Sequence, residues 1–283
     1  MKVKALLVSL LMGILFCSCG NKIENVVSTG NNSFSCTVAG RERSFIYVEP
    51  ENKNNDTKLV VLLHGAEDSA LNFQSTIHFE EEAFKRNYAV LYLQGELNPE
   101  NKSAALGWVN TYTKAGDDDI DYVMGTTDYI KKTYKVGKKT YIAGFSQGAF
   151  LINKLAIEKA NKFDGFASVA GIMVKHVWEQ RKNKQAAFFQ INGLKDELIP
   201  MDLNKSSKYS PNPSVETVLE YFSQTNKLGT DYVQEEINKD VKLLKNKDKV
   251  WWMLIEDYHH GWPKNDRANI NVNEYILDFF DKN

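Results

Sequence analysis

The residue best suited to covalent chemistry is Ser146, at the centre of the sequence Gly144-Phe145-Ser146-Gln147-Gly148. Residues 140–143 favour a strand, and the residues after Gly148 are apolar at helical spacing. A serine in a sharp strand-to-helix turn holds its hydroxyl above the sheet as a nucleophile, and the tight turn requires glycine at the flanking positions. The pattern predicts acyl transfer. The backbone N–H of Gln147 would be one donor to the oxyanion formed when the serine attacks a carbonyl.

A nucleophilic serine of this kind needs a base and an acid that orients the base. Residues 185–191 form a predicted strand that leads into Asn-Gly-Leu-Lys-Asp-Glu, and Asp196 lies in the turn after it. An acid in this position, fifty residues after the serine, is a candidate for the orienting carboxylate. An aspartate in a turn can also simply bond to the local backbone, and Glu197 and Asp202 are the competing acids.

Two histidines, His259 and His260, follow a predicted late strand at residues 250–255, and by position alone either could be the base. The resulting order along the chain is serine, aspartate, histidine. That order is found in α/β-hydrolases and differs from the orders in chymotrypsin and subtilisin. Several weak signals that agree in order support one another more than any of them does alone.

The sequence His64-Gly65-Ala66 directly follows a continuous apolar run at residues 58–63, which is typical of a strand buried on both faces of a parallel sheet. In hydrolases of this type the loop after such a strand supplies the second N–H of the oxyanion hole. Gly65 allows the backbone to approach the substrate, and we expect Ala66 to be the donor. His64 is expected to brace the loop through hydrogen bonds instead of taking part in catalysis.

Strands and helices alternate along the chain, as a mostly parallel sheet with helices on both faces requires. The predicted strands lie at residues 43–48 (an edge strand), 58–63, 88–93, 140–144, 166–169, 185–191 and 250–255. The predicted helices lie at residues 80–86, 147–160 and 214–229, with one more opening at the acids 117–119 and another closing the chain.

Trp108 and Trp262 are the candidate substrate-binding residues. Trp262 is two residues from His260, and Trp108 lies in a polar loop at residues 94–114 that is long enough to be functional. Either indole could stack on an aromatic acid or on the face of a sugar. The alternative is that both tryptophans only pack the loops.

The charge of the chain argues against nucleic acid as a partner. Lys and Arg number 35 and Asp and Glu 36, which gives a formal net charge of −1. Removal of residues 1–18, which contain two lysines and no acid, changes it to −3, whereas nucleic-acid-binding domains are basic.

The acids at residues 117–119 open a predicted helix, and the dipole of that helix explains why acids lie there. We therefore expect no metal site, and acyl transfer by a serine needs no cofactor.

The N-terminus has the pattern of an export signal. Two lysines precede an apolar segment, residues 5–16, that is too short to span a bilayer comfortably. The segment ends at Phe-Cys-Ser-Cys, and Ser18 before Cys19 resembles the lipobox of bacterial lipoproteins, in which the signal is removed and the cysteine is lipidated. We expect a signal peptide at residues 1–18 and a membrane anchor on Cys19. The protein would then lie in the bacterial cell envelope, either periplasmic or surface-exposed; an ordinary secretory signal is the alternative.

Residues 19–39 are polar, with several asparagines, and are expected to form a flexible tether. If Cys19 carries lipid, Cys36 is the remaining cysteine, so stability must come from a hydrophobic core and not from disulfides. With 43% apolar residues and no internal repeat, residues 40–283 are expected to form a single catalytic domain.

Together these motifs resemble the esterase/polyhydroxybutyrate-depolymerase family, which includes bacterial feruloyl esterases and lipoprotein esterases. The resemblance spans roughly residues 40–280 and is carried by segments 62–65, 118–122, 144–148, 193–196, 214–229 and 260–263. His-Gly and Gly-x-Ser-x-Gly are shared by the superfamily. The discriminating segment is His260-Gly261-Trp262-Pro263, which resembles the family's His-x-Trp-Pro signature.

The resemblance implies an α/β-hydrolase fold and a serine carboxylic-ester hydrolase with a catalytic triad of Ser146, Asp196 and His260, because His260 and not His259 matches the signature. It also implies feruloyl or acetyl esters of polysaccharides as substrates. The alternatives are a polyhydroxyalkanoate depolymerase, a serine peptidase of the same fold, or an inactive surface lipoprotein that binds glycan. Many secreted members carry cysteines that are absent here, and Lys264 replaces a common glycine, so the substrate stays open.

Overall fold

The computed structural model describes residues 22–97, 106–108, 118–201, 211–265 and 267–283. The strands are β1 (Ile23–Gly30), β2 (Ser33–Val38), β3 (Arg41–Val48), β4 (Lys58–Leu63), β5 (Tyr88–Leu93), β6 (Glu96–Leu97), β7 (Leu106–Gly107), β8 (Thr140–Phe145), β9 (Gly165–Val169), β10 (Phe188–Gly193), β11 (Val233–Asn238), β12 (Val241–Asn246) and β13 (Val250–Ile255). The helices are α1 (Ala70–Ile77), α2 (Phe79–Ala83), α3 (Asp118–Tyr134), α4 (Gln147–Glu158), α5 (Lys175–Glu179), α6 (Val215–Thr225) and α7 (Val272–Asp281).

Eleven of these strands form one sheet, in the order β1-β2-β3-β5-β4-β8-β9-β10-β13-β12-β11. The central strands from β5 to β13 run parallel to their neighbours, and antiparallel strands extend the sheet at both ends. β6 and β7 form a separate two-stranded ribbon. The predicted architecture, a mostly parallel sheet flanked by helices, is confirmed.

The two faces of the sheet carry two separate hydrophobic cores. In β4, Leu59, Val61 and Leu63 face one core and Val60 and Leu62 face the other, because successive side chains of a strand point to opposite faces. Buried side chains of α3, α4 and α6 fill the first core, and those of α1, α2 and α7 fill the second. Burial on both faces explains why this strand is apolar throughout its length.

The predicted flexible tether at residues 19–39 is wrong for the part that the structure describes. β1 and β2 form an antiparallel pair, and β2 pairs in turn with β3. Phe34 stacks on Phe45 with ring centroids 5.0 Å apart. β3 accordingly lies inside the sheet and is not an edge strand. Most β1 side chains are exposed, so backbone pairing holds this strand and its polar sequence gives little sign of it.

The strand order reverses direction between β4 and β8, since the chain passes from β4 to β5 on one side and returns to β8 on the other. In open α/β sheets, ligands bind at the carboxyl ends of the strands at such a switch point. Leu63 pairs with Gly144 across it, so the loops that follow both strands start side by side.

No helix in the described parts of the chain is both long enough and apolar enough to cross a membrane. Residues 1–21, which include Cys19 and the predicted signal peptide, lie outside the described residues.

Candidate active site

Ser146 lies at the turn between β8 and α4 with φ 51° and ψ −115°. A positive φ costs a residue with a Cβ of order 1–3 kcal/mol and persists only where the surroundings impose it. Here the Ser146 amide donates to the carbonyl of Val169 in the neighbouring strand, at 2.9 Å. The sheet therefore holds the serine in a strained conformation, at the sharp strand-to-helix turn that was predicted.

The two flanking glycines are required by direct backbone contact. A Cβ on Gly144 would lie 2.7 Å from the carbonyl carbon of Gly148. A Cβ on Gly148 would lie 2.5 Å from the carbonyl oxygens of Leu63 and His64. Any larger residue would push β4, β8 and α4 apart and displace the serine between them.

The predicted serine, acid and base come together at the carboxyl edge of the sheet. The Nε2 atom of His260 is 2.9 Å from the Oγ of Ser146, and its Nδ1 atom is 2.7 Å from Oδ2 of Asp196. An ionised carboxylate can only accept hydrogen bonds, which places the imidazole proton on Nδ1 and leaves Nε2 to accept from the serine hydroxyl. Asp196 is almost fully buried, and 13% of the His260 side chain remains exposed to the site.

The backbone fixes Asp196 in position. Its second oxygen, Oδ1, accepts from the amides of Leu198 at 2.9 Å and Ile199 at 2.7 Å. The loop that carries it is tied to the histidine loop, because the Leu194 amide donates to Ile255 and the Lys195 amide to Tyr258. The carboxylate therefore points one oxygen into its own turn and the other at the imidazole.

His259 makes a different and exposed interaction. Its Nδ1 lies 2.9 Å from Oε2 of Glu197, and both side chains are about half exposed or more. The hydrogen bond from His259 holds the pKa of Glu197 below its ordinary value. The competing acid Glu197 thus pairs with the competing histidine, and the Ser146 hydroxyl is hydrogen-bonded to His260 instead. The third competitor, Asp202, lies outside the described residues.

The segments that carry the two predicted oxyanion donors adjoin the serine. A Cβ on Gly65 would be 3.5 Å from the Cβ of Ser146, so the residue before Ala66 lies against the nucleophile. Gln147 is the first residue of α4, where backbone N–H groups have no acceptor within the helix. The positive end of the helix dipole also favours negative charge at this point.

His64 braces this loop, as predicted. The Gly95 amide donates to its Nε2 at 2.9 Å, so Nδ1 carries the proton and faces the carbonyl oxygen of Gly65 at 2.7 Å. The side chain is completely buried, and burial lowers the pKa of the imidazole, which keeps it neutral. Gln94 holds the same arrangement, since its amide nitrogen lies 3.2 Å from Nε2.

The predicted stacking of Trp108 and Trp262 on the substrate is incompatible with their burial. Trp108 has no exposed surface, and its indole N–H donates to the carbonyl of His64 at 2.8 Å. Trp262 is 9% exposed, donates to Asn273 at 2.8 Å and packs edge-on against Phe73. Both indoles lock the loops around the triad, the role that the sequence left as the alternative.

Sequence reasoning missed how the Gln147 side chain is held. Its Oε1 accepts from the Trp108 amide at 3.1 Å, which joins the start of α4 to the segment after β7. Gly107 lies so close to this side chain that a Cβ there would clash with it. Gly107 was the available sequence signal for this close approach, since only glycine fits against the Gln147 side chain. The rest of the loop, residues 98–105 and 109–117, lies outside the described residues.

Cys36 is a buried free thiol, and burial raises its pKa to about 11.

Within the described ranges, no group of three or more His, Cys, Asp or Glu side chains is arranged to hold a metal ion. The acids that open α3 have other partners, since Asp118 pairs with Arg41 at 2.6 Å and Asp119 with Arg43 at 3.0 Å.

A sequence profile of the phospholipase/carboxylesterase family matches residues 45–224, from β3 to the end of α6. The chain belongs to this family. The matched region contains Ser146, Asp196 and the loop with Ala66. Membership of an esterase family, which the sequence motifs implied, is thereby confirmed.

One curated protein is similar in sequence, and two solved structures are similar in fold. The bifunctional acetylxylan esterase/xylanase XynS20E of Neocallimastix patriciarum is 25% identical over 161 residues, which are 56% of this chain and 22% of that protein. The acetyl xylan esterase of Aspergillus awamori superposes with a TM-score of 0.63 at 10% identity, covering 92% of this chain and 99% of that one. The carboxylesterase of Bacillus cereus superposes with a TM-score of 0.51 at 14% identity, and the superposition covers 84% of this chain and 94% of that one. The fold is that of the α/β-hydrolases, as predicted.

Proposed function

We propose that this member of the carboxylesterase family is a serine esterase with Ser146 as nucleophile, His260 as general base and Asp196 as orienting acid. The observation that carries the proposal is the continuous path of hydrogen bonds from Asp196 through His260 to Ser146, at 2.7 and 2.9 Å. A neutral imidazole held in this tautomer by a buried carboxylate can accept the serine proton and is stabilised once it becomes a cation.

In the proposed reaction, His260 removes the proton of Ser146 as the serine oxygen attacks the ester carbonyl. The negative charge that develops on the carbonyl oxygen is met by the amides of Ala66 and Gln147, each worth about 3 kcal/mol in the transition state. His260 then gives its proton to the departing alcohol, and the acid part of the ester remains bound to Ser146. Water attacks this acyl-enzyme with His260 again as base, which releases the carboxylic acid.

For the substrate, we propose acetyl esters carried on a polysaccharide. Acetylxylan esterase is one of the two activities named for the relative that is 25% identical, of which this chain matches 22%. The hydroxycinnamoyl alternative rested partly on aromatic stacking by Trp108 and Trp262, and the burial of both indoles removes that support. A small acyl group needs no aromatic platform.

Comparison of three esters tests this substrate assignment. We expect kcat/KM for acetylated xylo-oligosaccharide to exceed that for feruloylated xylo-oligosaccharide and for a hydroxybutyrate trimer by at least tenfold. Release of acetate, ferulate and hydroxybutyrate by the same preparation would be followed by chromatography, with Ser146→Ala as the blank. Faster cleavage of the feruloyl ester or of the trimer would reject acetyl esters in favour of that substrate.

We further propose that the enzyme is a lipoprotein of the bacterial cell envelope, anchored through Cys19. A single acyl chain holds a protein only weakly at a membrane, whereas the several chains of a bacterial lipoprotein give stable anchoring. We expect Cys19→Ala to move the protein from the membrane fraction to the soluble fraction, with Cys36→Ala as the matched control that stays bound. An unmodified mature N-terminus at another residue, found by mass spectrometry, would contradict the anchor.

A further inference from the structure

A cavity lies at the same edge of the sheet as the triad. It has a volume of about 760 Å³, and its walls include Thr37 of β2, Ser44 of β3 and the segment Gln94–Glu96 after β5. Pockets that hold small ligands typically have volumes of this size. We call it the β3 cavity.

The strand register places the β3 cavity relative to the nucleophile. Phe45 pairs with Leu93, Leu93 with Leu63, and Leu63 with Gly144, so these four residues form one row across four neighbouring strands. Ser146 lies just beyond one end of this row and the cavity just beyond the other. Three strand intervals of about 4.8 Å separate the two sites by about 14 Å along the sheet edge.

The wall of the cavity contacts, through His64, the loop that contains the proposed oxyanion donor Ala66. Gln94 and Gly95 line the cavity, and both contact the imidazole of His64. Gly65, the residue that follows His64 in the chain, lies against Ser146. The β6–β7 ribbon lies between the two sites, because Gly107 packs against both Gly95 and the Gln147 side chain, so a substrate bound at the serine would reach the cavity over this ribbon.

The charged residues around the cavity carry a net negative charge, because two arginines face three carboxylates and Glu42 also lines the cavity. Arg41 pairs with Glu96 and with Asp118, both at 2.6 Å, and Arg43 pairs with Glu96 at 3.2 Å and with Asp119 at 3.0 Å. The side chains of Arg43 and Asp119 are each only 1% exposed. The excess of carboxylates around the cavity disfavours an anionic ligand.

The remaining lining residues are mainly uncharged and polar. Asn25, Ser35, Thr37 and Ser44 supply amide and hydroxyl groups that can both donate and accept hydrogen bonds. Among the described residues that line the cavity, none is aromatic. This chemistry suits a neutral ligand with many hydroxyl groups and does not suit a hydroxycinnamoyl group or a polyester chain.

We propose that the β3 cavity is a subsite for the oligosaccharide part of the substrate, a few sugar units from the ester that Ser146 attacks. This inference rests on the proposed function and specifies which part of the enzyme recognises the glycan. It also gives a physical reason for a preference for glycan esters over polyesters.

Substitutions that fill the cavity test the subsite. The side chain of Ser44 is exposed at the cavity, and its hydrogen bonds to Tyr122 and Gln94 use only the backbone carbonyl, so Ser44→Trp leaves them possible. Thr37→Trp fills the same space from the next strand. Gln234→Trp, at an exposed position of β11 at the far end of the sheet, is the matched control.

The measured quantity is the ratio of kcat/KM for acetylated xylotetraose to kcat/KM for p-nitrophenyl acetate, which is too small to reach the cavity. We expect this ratio to fall at least tenfold in Ser44→Trp or Thr37→Trp and to stay within twofold of wild type in Gln234→Trp. An unchanged ratio in both cavity variants would overturn the subsite, as would a wild-type enzyme that cleaves p-nitrophenyl acetate but not the acetylated glycan. Absence of Ser146-dependent cleavage of every ester would instead refute the proposed function.

Discussion

Replacement of Ser146 by alanine is expected to lower kcat for p-nitrophenyl acetate by about 10⁴- to 10⁶-fold, as loss of the nucleophile does in enzymes with this triad. Such a loss corresponds to about 5 to 8 kcal/mol of transition-state stabilisation. The reason is that His260 and Asp196 would keep their geometry but have no hydroxyl to activate. Turnover would be measured under saturating substrate with enzyme concentrations high enough to detect the residual rate.

The fold is expected to survive this change. The variant loses the side-chain hydrogen bond to His260 at the edge of the sheet, and it keeps the backbone hydrogen bond to Val169. Ser75→Ala, at an exposed position of α1, is the matched serine control and should retain full activity. If the Ser146 variant kept turnover within tenfold of wild type while its melting temperature was unchanged, another residue would have to be the nucleophile.

The second large effect separates the two adjacent histidines. We expect His260→Ala to lower kcat/KM by at least 10³-fold, because the base is lost and the Asp196 carboxylate is left without its partner. His259→Ala should change kcat/KM by less than threefold. Its partner is Glu197, and exposed ion pairs contribute at most about 1 kcal/mol to stability.

These two variants control for each other, since each removes one imidazole from the same loop. Comparable and severe losses in both would mean that the loop conformation, and not the base alone, was disturbed. A severe loss in His259→Ala with near-normal His260→Ala would exchange their roles and contradict the observed geometry.

The candidate site could be predicted from sequence because its signals are local. Gly144 is dictated by a backbone contact within the serine turn and Gly148 by backbone contacts with the end of β4, and the two glycines leave a recognisable pattern. The acid and the base each follow a strand whose apolar sequence shows where it ends. The choice of His260 over His259 came from the neighbouring Trp262 and Pro263, and the structure places His260 on the serine.

The contacts that brace the site could not be predicted, because they join segments far apart in the chain. The residues around Trp108 are polar, as in a loop that faces solvent. Its indole is nevertheless buried and donates to the carbonyl of His64, 44 residues earlier. The sheet edges were missed for a different reason. β1 and β11 are mostly exposed and are held by backbone pairing, which leaves no hydrophobic period to detect.

The buried ion pairs of the β3 cavity show the same limitation. The acids before residue 120 were explained by the dipole of the helix that they open, and that explanation accounts for their place in the sequence. It does not reveal that Arg43, 76 residues away from Asp119, lies buried against it. Long-range pairing of charges is set by the sheet order, which becomes visible only in the folded chain.

The central claim is that Ser146 is the nucleophile of an esterase, and covalent labelling tests it most directly. Wild-type enzyme would be treated with a fluorophosphonate, digested with protease and analysed by mass spectrometry. We predict one phosphonylated residue, Ser146, with concurrent loss of ester hydrolysis, and no labelling in Ser146→Ala. Labelling at a different residue, or no labelling of an enzyme that still hydrolyses esters, would contradict this assignment.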